Sequence, residues 1–338
     1  MSLGAEEVFT DDDQFSVVEG SSIHLYLSRW ADIIAVVPAT ADFIAKASSG
    51  ISDSLLLTIL LASKKPILIA PSMNENMFLH PATQRNIETL KSFGYRIIEP
   101  DEGFLADLAK GKGRLKEPEY ILEEILVELS PKKLSGLRVL VTCGATREFI
   151  DPVRFITNGS SGKMGIAFAK VARRFGASVT LIAANVNENL PGGVKIVRAV
   201  TTEDLYNRVL EELENADLLV MAAAPSDYKP KEFNENKLPK LDTLNLELVS
   251  TVDVLKEASK YKGSKIFVGF ALQTDNLIEN AKRKLEEKNL DYIVANDTLN
   301  IGGYYGKIVL IDRNGILGEF EGDKESIAEF VLSKIFKF

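Results

Sequence analysis

Residues 138–165 read RVLVTCGATREFIDPVRFITNGSSGKMG. The opening RVLVT is a short β-branched and aliphatic run, which suits a strand buried on both faces of a parallel sheet. The closing GSSGKMG leads into a periodic apolar stretch that predicts a helix over residues 161–175, with Ser160 or Ser161 as its cap. Between them lies a loop carrying Arg147, Glu148, Asp151, Arg154 and Asn158. A helix entered through glycines turns its N–H groups and dipole towards an anion, and Gly159 and Gly162 let the backbone approach closely. The spacing is not that of a Walker A loop, because the run into Gly162–Lys163 is too short and no Ser or Thr follows Lys163. It is not a dinucleotide fingerprint either, since the glycine cluster lies well downstream of the strand. A purely structural glycine turn remains the competing reading, and the charged residues of the loop favour a phosphate site.

The same grammar extends along the chain. Buried-strand runs recur at residues 33–37, 66–70, 95–98, 178–183, 217–223, 265–270 and 292–295. Helical periodicities alternate with them at 52–63, 81–93, 203–215 and 277–288. Gly94 and Gly176 stand where a helix-ending glycine belongs. The expected fold class is α/β, with two doubly wound, mainly parallel-sheet domains. A length of 338 residues fits two domains at roughly 150 residues each. The stretch ELSPKKLSG at 128–136 reads as the boundary, giving domains 1–133 and 134–338. An antiparallel appendage is expected near 307–312, turning at Arg313–Asn314–Gly315. The polar segment 228–248 is long enough to suggest a functional loop.

Composition excludes several classes. Lys and Arg total 40 against 48 Asp and Glu, a net charge of −8 that argues against nucleic acid or a membrane surface as partner. No apolar run is long enough to span a bilayer. The opening MSLGAEEVFTDDD is acidic and has no signal-peptide core. With Cys143 as the single cysteine no internal disulfide forms, and a cytoplasmic protein is expected. Cys/His pairs of zinc spacing and a GxSxG elbow are both absent from the sequence, so no protein-held metal is expected.

Several polar residues stand where chemistry is done. Asp227 follows the run 217–223, at a position suited to a nucleotide's polar edge or to capping a turn. Lys237 and Lys240 lie in the long loop after it. Lys284 and Lys288 are one helical turn apart and share a face. In an acidic chain, lysines from two segments could converge on a triphosphate, although any single one reads equally as a surface residue. His24 precedes an amphipathic stretch, and Asn74 follows the run 66–70 at a strand's carboxyl end; each could act on a substrate or hold a turn.

Taken together these segments resemble the bifunctional coenzyme A biosynthesis family, which fuses a phosphopantothenoylcysteine decarboxylase to a phosphopantothenate–cysteine ligase. IDPVRFITNGSSGKMG (150–165) is the most specific motif. It is supported by AAAPSDY (222–228), VGFALQT (268–274) and KNLDYIVAND (288–297), and the resemblance covers nearly the whole chain. For the second domain it implies a CTP-dependent condensation of 4′-phosphopantothenate with cysteine through an acyl-cytidylate, with Mg²⁺ carried by the CTP phosphates. Asn158 and Arg154 would hold the acyl intermediate, and Gly159, Ser160, Ser161 and Gly162 the phosphates. Ala224, Asp227, Asp253, Phe270, Lys284 and Lys288 would contact the nucleotide, and Lys237 would stabilise charge during cytidylyl transfer. The family's lysine cluster reads KLPK here, with Pro239 in place of one lysine. A homo-oligomer is implied, with the ligase as a dimer, and CTP against ATP stays open.

For the first domain, SIHLYLSRWAD (22–32), VPATADFIA (37–45) and PSMNENM (71–77) resemble the flavodoxin-like decarboxylase half. By that resemblance His24 would handle proton chemistry, Asn74 would bind the substrate carboxylate, and Pro38, Ala39 and Thr40 would touch FMN. Two departures stand out. The chain starts about one βαβ unit later than the family does, which would make the strand at 33–37 an edge. The flap stretch DEGFLADLAKGKGRL (101–115) has Asp107 where a cysteine is expected, and a carboxyl cannot donate the thiol's hydrogen. An impaired FMN-dependent half is therefore expected. The alternative is a ligase alone, carried on a non-catalytic assembly module.

Overall fold

The computed structural model describes residues 4–105, 108, 110–240, 242–272, 277–296 and 303–338. Asp107, Gln273, Thr274 and Asp297, named above within family motifs, lie outside them. Contacts cluster into two units, residues 1–130 and 131–338.

The first unit begins with a small ribbon (Val17–Val18 with Ser21–Ser22) leading into α1 (Ile23–Trp30). Strand β1 (Ile34–Ala39) is followed by α2 (Ala41–Ser48) and α3 (Leu55–Ala62), then β2 (Ile67–Pro71), α4 (Glu75–Leu79), α5 (Pro81–Ser92) and β3 (Arg96–Ile97). The described strands form a parallel sheet in the order β1-β2-β3, which puts β1 at an edge as expected. Every residue of β2 is buried, the signature of a strand covered on both faces. Ser54 caps α3 and Thr40 caps α2 through their hydroxyls. Gly94, at φ +86°, ends α5 in the left-handed conformation that a side chain resists. A hairpin (Asp101–Phe104 with Lys110–Arg114) and α6 (Pro118–Leu129) complete the unit.

In the second unit β4 (Arg138–Gly144), α7 (Lys163–Arg174), β5 (Ser178–Ala184) and β6 (Lys195–Ala199) come first. They are followed by α8 (Thr202–Leu213), β7 (Leu218–Met221), α9 (Val254–Ala258), β8 (Ile266–Leu272), α10 (Leu277–Glu287) and β9 (Tyr292–Asn296). Strands β10 (Tyr305–Asp312) and β11 (Gly315–Asp323) and helix α11 (Lys324–Phe336) close the chain. The sheet order is β6-β5-β4-β7-β8-β9-β10-β11. The first six are parallel neighbours, and β10 and β11 add antiparallel. In chain order those six strands run 3-2-1-4-5-6, the doubly wound dinucleotide-fold order.

Alternation along the strands sorts the core into two faces. Val139, Val141 and Cys143 pack with α7 and α11, whereas Leu140, Leu219 and Phe267 pack with α8, α9 and α10. The sequence misses β6 as a strand, because its edge pattern is half-exposed, and it also misses α11. The expected appendage is the β10–β11 hairpin, longer than predicted. Asp312 pairs with Gly315 across the turn, and its carboxylate accepts from the Asn314 and Gly315 N–H groups.

Candidate active site

The strand order reverses between β4 and β7, and a doubly wound sheet leaves a crevice there at the carboxyl ends of its strands. The chain fastens the two ends together. Ala224 N donates to Gly144 O at 2.8 Å, and Ala223 N to the buried Thr142 Oγ1 at 3.0 Å. The Thr146 hydroxyl accepts from Ser226 N at 2.9 Å and pairs with Thr202 Oγ1, which also donates to the buried Glu148 carboxylate at 2.8 Å. The Asn158 amide crosses from the turn before α7 and donates to Pro225 O at 2.9 Å. Thr251 N donates to Asp227 O at 2.9 Å from the far side. Residues 222–227 are therefore held on three sides.

A cavity of about 570 Å³ lies over this junction. It brings together Asn158, Gly159, Ser160, Ser161 and Gly162 with Ala224 and Asp227. Asp253, which caps α9, Phe270 on β8, Lys284 on α10 and Lys288 just past its end line the same space. Phe270 stands edge-on to Phe168 with ring centres 5.7 Å apart. Asp227 is exposed, and its carboxylate caps no turn among the described residues, so the capping alternative fails. The serine-cap expectation also fails. Gly162 itself is the N-cap at φ +84°, with no side-chain bond. A Cβ there would fall 2.4 Å from Val186 Cγ1, so the tight left-handed turn against β4 demands glycine.

The electrostatics concentrate on α10. Lys284 Nζ donates to Phe270 O at 2.6 Å. Burial and then the neighbouring Lys288 charge pull its pKa down to about 8, against Asp253 and Asp227. Lys288 pairs with Asp253 at 2.8 Å. Burial opposes ionisation of Asp253, but the Lys288 ammonium and the Lys256 N–H outweigh it and hold the carboxyl below its usual range.

Arg154 and Lys237 do not line the cavity. Arg154 Nη1 is bound to Asp151 at 2.7 Å and to Leu238 O at 2.9 Å, while Lys237 is exposed on the loop so anchored. The Asp151 carboxylate also accepts the N–H groups of Val153, Arg154 and Leu238. Burial works against its charge, yet these donors hold it at about 2. The cavity includes Lys163, Ser226, Thr251, Asn296 and Lys324, none of which the sequence reading assigned. Lys163 carried a signal within the glycine motif, while Lys324 carried none. Among the described residues no three His, Cys, Asp or Glu side chains cluster as metal ligands.

In the first unit, Pro38 and Ala39 end β1, and Thr40 caps α2 by accepting from Phe43 N at 3.2 Å. Ser72 N donates to Ala39 O at 3.0 Å, so the segment leading to Asn74 runs beside them. Asn74 caps α4, its Oδ1 accepting from Asn76 N at 2.9 Å. The 110–114 strand is seated on this segment: Met73 N donates to Gly113 O at 3.0 Å and Lys112 N to Glu75 Oε1 at 2.9 Å. A Cβ on Gly113 would fall 2.1 Å from Met73 O, so the close approach requires glycine there. His24 lies in the first turn of α1, and no hydrogen bond joins it to Asn74 or to residues 38–40 among the described residues.

Comparison with known proteins places both units. Residues 134–338 match the family model of the DNA/pantothenate metabolism flavoprotein C-terminal domain, and residues 2–130 match the Flavoprotein model. The coenzyme A biosynthesis bifunctional protein CoaBC of Bacillus subtilis is 43% identical over 313 residues, 90% of this chain and 76% of that protein. Its counterpart in Borreliella burgdorferi is 37% identical over 318 residues, 93% of this chain and 82% of that one. The crystal structure of the C-terminal domain of a CoaBC protein superposes with a TM-score of 0.53 at 37% identity, covering 61% of this chain and 97% of that domain. No helix among the described residues is long and apolar enough to cross a membrane. The chain belongs to the bifunctional coenzyme A biosynthesis family and is an enzyme that joins a flavoprotein decarboxylase domain to a phosphopantothenate–cysteine ligase domain.

Proposed function

We propose that the second unit condenses 4′-phosphopantothenate with cysteine at the expense of CTP. The supporting observation is the convergence, in one cavity at the sheet's switch point, of a glycine turn with Asp227, Phe270, Lys284 and Lys288. The substrate carboxylate attacks the α-phosphorus of Mg²⁺-bound CTP and pyrophosphate leaves. The cysteine amine then attacks the acyl carbon, CMP leaves, and the amine proton passes to water. The chain's part is to neutralise charge and hold groups in line. The turn at Gly159–Gly162 holds phosphate oxygens through its N–H groups, with Ala224, Asp227, Asp253 and Phe270 around the nucleoside. Lys284 and Lys288 oppose the negative charge. Asn158, fixed to Pro225 O, orients the acyl group. Arg154 ties residues 237–240 to Asp151, and Lys237 reaches the charge that develops from that loop. Purified protein given phosphopantothenate, cysteine, Mg²⁺ and CTP should release CMP only when cysteine is present, and ATP in parallel sets the base preference. CMP release indifferent to cysteine would defeat the reading.

The first unit is proposed as an FMN site whose full decarboxylase cycle is impaired. The residues fit a flavin in kind, because the carboxyl ends of the parallel strands β1 and β2 lie side by side, the edge of a parallel sheet at which ligands bind. FMN, when bound, supplies the two-electron oxidation that precedes loss of CO₂. Pro38, Ala39 and Thr40 would hold its edge, Asn74 the substrate carboxylate, and His24 a proton. Asp107 in place of a thiol leaves the final hydrogen donation without its donor. A purified protein with a flavin absorbance band but little enethiol reduction is the expected result. A protein without flavin would leave the unit as an assembly module.

A further inference from the structure

We propose that Glu148 is a positioning residue of the ligase site. Through the hydroxyls of Thr202 and Thr146 it fixes the Ser226 N–H group, and with it the stretch 224–227 beside the nucleotide. The inference rests on the nucleotide reading above and gives a role to a buried carboxylate which that reading leaves unused.

Beyond β4 and β7 the chain continues a parallel ladder. Ala145 bridges to Ala224. Ala224 N donates to Gly144 O at 2.8 Å, and Thr146 N donates to Ala224 O at 3.4 Å. The next rung of such a ladder runs from Ser226 N to Thr146 O. That carbonyl instead accepts the Thr157 hydroxyl at 2.7 Å. The Thr146 hydroxyl takes its place and accepts from Ser226 N at 2.9 Å. A hydroxyl rotates where a ladder carbonyl does not, so this rung is only as firm as the partner that holds the Thr146 proton.

The direction of that proton follows from the bonds around it, because a hydroxyl has a single proton to give. Thr202 Oγ1 gives its own to Glu148 Oε1 at 2.8 Å, and the same oxygen accepts from Thr202 N at 2.8 Å. Thr202 is then the acceptor in its 2.9 Å bond with Thr146, and the Thr146 proton points to it. The lone pairs of Thr146 are left facing Ser226 N. The rival acceptor for the Thr202 proton, Ser226 O, is 3.4 Å away and already takes the Thr251 hydroxyl. Thr146 is fully buried and Glu148 only 4% exposed, so water does not compete for these bonds. Glu148 itself lies against the first N–H of the 12-residue α8, where a helix dipole favours an acidic residue. One fixed acceptor thus orients two hydroxyls in series and ends on Ser226, between Ala224 and Asp227 in the wall of the cavity. A glutamate that served α8 alone would have no effect on the nucleotide.

The test reads hydrogen–deuterium exchange of the full chain over residues 222–228, beside steady-state ligase kinetics. Glu148→Leu should speed exchange there and raise KM for CTP about three- to tenfold, the scale of one lost hydrogen bond, with KM for cysteine unchanged. Glu148→Gln, whose amide oxygen still accepts, should restore most of both. Thr146→Val should reproduce the Glu148→Leu effects, and it carries the test where Glu148→Leu melts early. In the double variant the effects on kcat/KM should not add, because both changes break one chain of bonds. Thr201→Ala is the control, since the Thr201 hydroxyl caps α8 by accepting from Asp204 N and stands outside the chain. It should lower Tm and leave both exchange over 222–228 and KM for CTP as in wild type. Wild-type exchange over 222–228, or wild-type KM for CTP, in folded Glu148→Leu or Thr146→Val would overturn the inference. So would additive effects in the double variant, or an equal KM rise in Thr201→Ala, which would reduce Glu148 to a helix cap. The two readings fail separately. A wild-type chain without cysteine-dependent CMP release sinks the proposed function, while faster exchange over 222–228 in Glu148→Leu still upholds the chain of bonds. A wild-type chain that turns over, with exchange unchanged in both variants, sinks only this inference.

Discussion

Lys284 is the residue whose chemistry is most open to measurement. Its pKa of about 8 follows first from burial and then from Lys288, with Asp253 and Asp227 acting in the opposite direction. A depressed lysine pKa means that the ammonium is present below about pH 8 and lost above it. Because kcat/KM reports ionisations of the free enzyme, kcat/KM for CTP should fall as pH rises through about 8. Lys284→Arg, which keeps its charge, should remove that limb, while Lys284→Met should lower kcat/KM about tenfold below pH 8, the gap to wild type closing as the wild-type ammonium is lost. A flat profile from pH 7 to 9 in wild type would take Lys284 out of the site. The spacing of Lys284 and Lys288 was legible because positions four apart on a helix share a face. Lys324 was not, because a lysine at the start of a segment without a clear helical periodicity looks like any surface lysine. Only the packing of α11 on α7 turns it into the cavity.

At the scale of elements, the turn before α7 shows what a motif can and cannot tell. The turn itself was readable from Gly159 and Gly162, whereas the capping residue was not. Serines are good caps when the chain enters a helix from extended backbone. Here the chain enters through φ +84° at Gly162, packed against Gly144 and Val186, and a serine cap has no room to form. Gly162→Ala should therefore cost about 2 kcal/mol from the left-handed backbone and the Val186 contact together. For a unit of this size that lowers Tm by about 4–8 °C. CTP turnover should fall further than stability alone accounts for, because the N–H groups proposed to hold the phosphates move with the turn. Thermal melts beside CTP kinetics check both parts, and a variant with wild-type Tm and turnover would show that the turn tolerates a side chain. Strands β4, β5, β7, β8 and β9 were legible because each is a continuous apolar run. Strand β6 was not, because an edge strand buries too little to leave one. Helix α11 escaped for the opposite reason: Phe330 and Phe336 join the buried Ile327, Val331, Leu332 and Ile335 against the core, which blurs its polar face.

Across the whole molecule, the separation into two units has thermodynamic consequences. Each has its own core clusters: Ile23, Ile44, Ile69 and Leu90 belong to one unit, and Phe168, Leu181, Leu140 and Phe267 to the other. The stretch at 128–136, read from sequence as a boundary, brackets the change from one contact cluster to the next at residues 130–131. Two cores imply two cooperative transitions, and a ligand that binds one native unit raises only that unit's transition. At a hundredfold excess over its Kd, Mg²⁺-CTP adds about 2.7 kcal/mol to the unit that binds it. Spread over a domain of some 200 residues, that is a shift of about 5–11 °C. Differential scanning calorimetry of the full chain should thus show two endotherms. CTP should move the one that Gly162→Ala lowers and leave the other in place, and FMN should do the reverse. A single endotherm moved by both ligands would mean that the units unfold as one body. Displacement of both endotherms by CTP alone would place nucleotide contacts on both sides of the boundary, and the cavity at the sheet's switch point could not then be the whole site.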